Sequence, residues 1–142
     1  MTIARLLEGR DIPTVTCDAA MRAGDGVALL AEKRIGAIPV MAEGKVAGIF
    51  SERDVIYKLR EIGPAMLDLP IGEVMASPAI TVAPETEVLT ALALMTQRRV
   101  RHLPVVRDGA MIGFISIGDL VKYRIDRVEA EAEAMRAYIQ AA

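Results

Sequence analysis

The sequence predicts an α+β chain, α/β-like within each half, made of two β-α-β-β-α repeats whose sheets pack into one unit. Three observations carry this: an internal duplication at a fixed offset, a switch between helical and strand periodicity inside each copy, and a composition suited to a buried core. Ile38-Pro39-Val40 recurs as Leu103-Pro104-Val105, 65 positions later. Gly44 and Gly109, Gly48 and Gly113, Ser51 and Ser116, and Asp54 and Asp119 keep that offset, as do Thr16 and Thr81, and Arg34 and Arg99. Residues 15–59 and 80–124 align without a gap. Self-similarity of this kind marks a repeated structural unit.

Each copy reads in the same order. Val15-Thr16 and Ile80-Thr81-Val82 are short extended segments. Helices are expected over residues 19–34 and 84–99, where Val27, Leu30, Ala31 and Val88, Leu92, Met95 recur at helical spacing and give each helix one apolar face. Pro84 suits a first helical turn, with Glu85 and Glu87 near the positive end of the macrodipole. Two apolar runs follow, 37–41 and 46–50 in the first copy, 102–106 and 111–115 in the second. Gly44 and Gly109 lie in the breaks between them, which reads as a hairpin. A second helix opens at Ser51 and at Ser116.

The chain divides into a first repeat with an N-terminal helix (1–62), a breaker-rich linker (63–70), a second repeat (71–125) and a helical extension (126–142). Ile71-Gly72-Glu73-Val74-Met75 is a short helical lead into repeat two, and residues 2–7 are its counterpart before repeat one. Copies of roughly 50 to 60 residues hold little core of their own, so the two are expected to pack their sheets together into one unit. In the extension, Ile125, Val128, Met135, Tyr138 and Ile139 recur at roughly helical spacing, as a cap on the module or as a partner-facing helix.

Composition narrows the function. The 142 residues are 53% apolar and 25% charged, which excludes global disorder. No window reaches the ~18 uninterrupted apolar residues of a membrane span. The first residues lack the basic-then-apolar pattern of a signal peptide, so a cytoplasmic location is expected. Cys17 is the single cysteine, which leaves no internal disulfide and no Cys/His zinc cluster. A net charge of −2 and the absence of Trp weigh against nucleic acid as a partner. No nucleophile elbow, Walker loop or HExxH is present, so an enzyme is not expected.

The duplicated pattern, apolar-Pro-Val, turn Gly, then Gly48-Ile49-Phe50-Ser51-Glu52-Arg53-Asp54 and Gly113-Phe114-Ile115-Ser116-Ile117-Gly118-Asp119, resembles the CBS domain pair, or Bateman module. The likeness covers nearly the whole chain, and Arg99-Val100-Arg101-His102-Leu103-Pro104-Val105 resembles small stand-alone bacterial members. It implies a pseudo-two-fold module with two clefts between the repeats, homodimers of modules, and adenine-containing ligands: AMP, ADP, ATP, or NAD or S-adenosylmethionine. It also implies a regulatory role that passes occupancy to an effector protein. The competing reading is a structural adaptor that dimerises and binds no small molecule.

The residues themselves allow two readings. Ser51-x-x-Asp54 and Ser116-x-x-Asp119 resemble capping boxes, worth about 0.5–2 kcal/mol per helix as caps alone. The same carboxylates suit charge-assisted bonds to a ribose diol, and the helix N-termini beside them suit phosphate. The resemblance places adenine between the strand carrying Thr16 or Thr81 and the residues Ala37-Ile38-Pro39 or His102-Leu103-Pro104. Arg53 in repeat one and Arg101 with His102 in repeat two are the cations expected to converge on phosphate. The copies differ at these positions, so the two sites are not equivalent.

Overall fold

The computed structural model describes residues 1–10 and 13–141. Its elements are α1 (Ile3–Leu7), β1 (Cys17–Asp18), α2 (Ala23–Lys33), β2 (Ala37–Ala42), β3 (Lys45–Ser51), α3 (Glu52–Ile62), two 3₁₀ turns (Gly63–Asp68 and Ile71–Glu73), α4 (Val88–Arg98), β4 (His102–Arg107), β5 (Ala110–Ser116) and α5 (Ile117–Ala141). Among the described residues no helix is long and apolar enough to cross a membrane.

The hairpins form where the sequence expects them. Glu43 and Gly44 have φ of 53° and 77°, and Asp108 and Gly109 have 50° and 79°. Positive φ at both central residues is the turn whose twist matches paired strands. Both hairpins slip register at the same point, between Val40 and Met41 and between Val105 and Val106. The duplication therefore extends to the bulge.

Other boundaries move. The extended segment expected at Val15-Thr16 pairs instead at Cys17–Asp18, which runs parallel to β2. Its counterpart is reduced to a single parallel bridge from Val82 to Val105. Both first helices begin four residues later than expected, at Ala23 and Val88. The preceding backbone is already committed to tertiary bonds. Ala23 N–H donates to the Leu69 carbonyl at 2.7 Å, Ala4 N–H to the Pro84 carbonyl at 2.8 Å and Ile3 N–H to the Thr86 carbonyl at 2.8 Å. The residues that flank the two helices, Arg22 and Glu87, are accordingly extended, with ψ of 136° and 147°. Pro84 thus lies in a turn ahead of α4, and Glu87 is the residue that flanks the helix.

The core is not shared. One cluster, Cys17, Ala23, Leu30, Ile38, Val40, Phe50, Met66, Ile71 and Val74, fills the first half. A second, Ile3, Val82, Val88, Ala91, Met95, Leu103, Val105, Ile115 and Leu120, fills the other. Each half becomes large enough by borrowing. Met66, Ile71 and Val74 come from the connecting segment into the first cluster, and Ile3 crosses from the N-terminus into the second. The N-terminal helix grouped with repeat one by sequence order therefore packs on repeat two.

This exchange explains Gly48 and Gly113. A Cβ on Gly48 would lie 2.5 Å from the Ala76 carbonyl oxygen, and one on Gly113 would lie 2.8 Å from Leu7 Cδ2. At Gly48 the obstacle is backbone, held by reciprocal Ile49–Ala76 bonds of 3.0 and 2.9 Å. Gly48→Ala is expected to cost about 1–3 kcal/mol. Gly113→Ala should cost less, because the Leu7 side chain can turn away. Urea titration of both variants checks this, and equal stabilities would contradict it.

Candidate functional site

Two clefts lie at the seam between the halves. The larger, about 980 Å³, is lined by Thr14, Val15, Gly36 and Ala37 on one side and by Phe114, Ser116, Asp119 and Lys122 on the other, with Arg10 beside them. The smaller, about 190 Å³, is lined by Pro78, Ala79 and Ile80 and by Arg99, Val100 and Arg101 on one side, and by Ser51, Arg53 and Asp54 on the other. Small-molecule pockets run to about 300–1,000 Å³, so the Asp119 cleft has full ligand size and the Asp54 cleft does not. The composition is crossed: each cleft takes its apolar wall from one repeat and its acid from the other. Gly36, Ala37 and His102 line both.

The acids are placed by capping. Asp54 N–H donates to Ser51 Oγ at 3.3 Å, while Asp54 Oδ2 accepts from Ser51 N–H at 2.8 Å and from its hydroxyl at 2.9 Å. Asp119 N–H donates to Ser116 Oγ at 3.2 Å, and Asp119 Oδ2 accepts from Ser116 N–H at 2.8 Å. The bonds fix each carboxylate at the mouth of its helix through Oδ2. The capping reading and the cleft reading therefore hold together.

The helix N-termini are less open to phosphate than the sequence suggests. Glu52 N–H donates to the Gly36 carbonyl at 3.0 Å and Ile117 N–H to the Arg101 carbonyl at 2.8 Å. With the capping bonds, these leave the amides of Arg53 and Gly118 as the available donors of each first turn. An anion in either cleft would therefore meet chiefly side chains.

The electrostatics separate the two acids. Burial pushes Asp54 above the usual carboxylate range, and the Ser51 bonds and Arg53 only partly offset it. Burial also raises Asp119, but the Ser116 backbone bond and Arg10 together outweigh it and hold the group below its ordinary value. Arg10 reaches Asp119 Oδ2 at 3.1 Å and also donates to the Phe114 carbonyl at 3.1 Å. Arg53 is engaged as well, donating to the Arg99 carbonyl at 3.1 Å. Arg99 caps α4 in the left-handed region, so this bond satisfies an orphan carbonyl of the helix end.

His102 stands at the partition between the clefts, stacked on Phe114 with ring centroids 5.4 Å apart. Burial lowers its pKa, Asp119 and Glu52 oppose that, and Arg101 reinforces it. The net effect favours the neutral imidazole. Because the folded value lies below the unfolded one, its contribution to stability is complete above the ordinary imidazole range and is lost as pH falls through it. Melting curves from pH 7.5 to 5 should fall more steeply for the wild type than for His102→Gln. Parallel curves would exclude the effect.

The structure brings Ala37, Ser51, Arg53, Asp54, Arg101, His102, Ser116 and Asp119 to the clefts. It does not bring the others. Thr16 and Thr81 are exposed outside both linings, with Thr14-Val15 and Ala79-Ile80 in the places expected of them. Ile38, Pro39, Leu103 and Pro104 are buried and belong to the interior. Ile38 and Leu103 belong to the two core clusters, and of these strand residues Ala37 and His102 reach the seam. Sequence reasoning missed Arg10, Lys122, Phe114 and Arg99. Lys122 sits one helical turn after Asp119, a spacing visible in the sequence. Arg10 has no counterpart 65 positions on, where Met75 stands, and no local signal marks it. Cys17 is buried with its thiol pushed up to about 11, which leaves it an inert core residue. No group of three His, Cys, Asp or Glu side chains among the described residues is placed to hold a metal ion.

Two repeats that exchange segments and enclose crossed clefts, with acids on capped helices, define a paired-repeat module. The chain belongs to the CBS-domain family, whose model matches residues 10–61 and 71–126. The mitochondrial CBS domain-containing protein CBSX3 of Arabidopsis thaliana is 39% identical over 121 residues, 82% of this chain and 59% of that relative's length. A solved structure from Burkholderia ambifaria, described as a signal-transduction protein with CBS domains, is 36% identical with a TM-score of 0.82, covering 89% of this chain and 95% of the other. CBSX2 solved in complex with AMP shares the fold, with a TM-score of 0.74 at 23% identity over 88% of this chain and 96% of that one. CBS-domain proteins are generally regulatory.

Proposed function

We propose that this chain is a cytoplasmic regulatory module that binds an adenine nucleotide, AMP, ADP or ATP or an NAD-type ligand, and transmits occupancy to a partner protein. The observation that carries the reading is the crossed make-up of each cleft: an apolar slot on one repeat faces a carboxylate and cations on the other. In the Asp119 cleft the base lies against Val15 and Ala37, the ribose diol bonds Asp119, and Arg10, Lys122 and His102 meet the phosphate. The cavity volume makes this the primary site. The Asp54 cleft, with Arg53, Arg99 and Arg101, takes a second ligand when the repeats part slightly. That AMP is held by CBSX2, which has this fold, agrees with the ligand class.

A ligand that touches Ala37 and Asp119 at once ties the repeats together. It shifts their relative position only by its difference in affinity for the two arrangements. Isothermal calorimetry with AMP, ATP and NADH tests the reading, together with native mass spectrometry for nucleotide carried through purification. Heat and a rise in melting temperature are expected, since a ligand of the folded state stabilises by mass action. Neither effect at millimolar ligand would leave the adaptor reading in its place.

A further inference from the structure

Helix α5 runs 25 residues, far beyond the core it starts on. Its early residues Leu120 and Tyr123 pack against the second cluster. The opposite side carries Val121, Ile125, Val128, Ala132, Met135 and Ile139, spaced by four, three, four, three and four residues. That is the alternating a/d spacing of a heptad, distinct from the broader stripe of a helix packed on a globular core. Val121, Ile125, Val128, Met135 and Ile139 are 43 to 65% exposed.

The flanking charges say what covers the stripe. With Ile125, Ala132 and Ile139 at a, the g positions are Arg124, Glu131 and Tyr138, and the e positions are Lys122, Glu129 and Arg136. In a parallel pair of identical helices, g meets e of the next heptad: Arg124 with Glu129, and Glu131 with Arg136. Both pairs attract, and symmetry makes each twice. In the antiparallel pairing that aligns every apolar layer, Glu129 meets Glu129, Glu131 meets Glu131 and Lys122 meets Arg136. Every such pair repels. Within the helix Glu131 is held only by an exposed pair with Arg127 at 3.6 Å, which is weak enough to exchange.

We propose that this stripe is the interface for a second copy of the chain, joined along α5 as a parallel two-stranded coiled coil. Isoleucine at a suits two parallel strands. Fewer than three heptads are marginal for free peptides, but the module's own core already holds the first turns of α5, so the nucleation cost is met before pairing. The pair places both modules at one end of the coil.

Sedimentation equilibrium of the full chain is expected to show a dimer. Met135→Glu with Ile139→Glu, both beyond the cleft residues, should weaken self-association at least about 30-fold while circular dichroism and melting stay those of a folded protein. Glu131→Arg should weaken it by setting like charges opposite, and adding Arg136→Glu should restore it. Ile139→Cys should oxidise to a linked dimer, which an antiparallel pair would prevent by placing residue 139 opposite residue 121. A monomeric wild type would overturn the proposal and leave the stripe to another protein. A dimer that survives the double glutamate variant would also overturn it, moving the contact to the exposed Ile56 and Tyr57 of α3. Indifference to Glu131→Arg would overturn the parallel register.

Discussion

Asp119→Ala is expected to weaken adenine-nucleotide binding roughly 10- to 150-fold, the effect of removing charge-assisted hydrogen bonds worth about 1.5–3 kcal/mol. The variant also removes half of a capping box, so a loss of binding alone would be ambiguous. Ser116→Ala removes the other half and leaves the carboxylate. Both variants should lose about 0.5–2 kcal/mol of stability, yet only Asp119→Ala should lose most of its affinity. Calorimetry and urea unfolding on the same samples separate the two roles. If Ser116→Ala binds as poorly as Asp119→Ala, the acid acts only by holding the helix, and the ribose assignment fails. Asp54→Ala should act chiefly on the smaller cleft, with a lesser change at the larger. The two sites are not isolated, because His102 and Ala37 line both.

Ile3→Ala is expected to destabilise the protein by about 2–5 kcal/mol, the range for emptying a well-packed aliphatic site. Its distinctive consequence is where the loss falls. Ile3 is fully buried and belongs to the same cluster as Val82, Val88, Leu103 and Ile115 of the second half. Hydrogen exchange should therefore quicken in β4 and β5 more than in β2 and β3, since each half opens with its own cluster. Ile71→Ala should do the reverse, because Ile71 fills the first cluster. Loss of protection confined to the first half on Ile3→Ala would refute the exchange of segments. The result bears on function as well. Arg10, which pairs with Asp119, stands at the end of the same N-terminal arm, so loosening Ile3 should also loosen the cation that guards the larger cleft.

Much of the architecture was legible because its signals are local. Glu43-Gly44 and Asp108-Gly109 each stand between two apolar runs, the short-range signal of a hairpin, so both hairpins could be placed from the sequence. The capping boxes follow from a serine three residues before an acid. The starts of α2 and α4 were misjudged for the opposite reason. Pro84 suits a first turn, but its carbonyl accepts from Ala4, some eighty residues away in the chain, and no local pattern records that bond. The make-up of each core was hidden likewise. Repeat length indicated correctly that a copy lacks core, but not that each would complete itself with a segment from beside the other.

The site divides along the same line. Asp54, Asp119, Arg53, Arg101 and His102 were readable because they sit at fixed steps from a turn or a helix start. Arg10 was not, since its meaning comes only from meeting Asp119 and the Phe114 carbonyl across the fold. Periodicity and turn chemistry, which act over a few residues, determined that the chain holds two like units with an acid on each second helix. The tertiary structure alone decided which wall faces which acid, which acid keeps a cation, and which half each connecting segment completes. Those outcomes depend on contacts between residues far apart in the chain, where packing volume and backbone bonding choose among arrangements that local preferences leave equal.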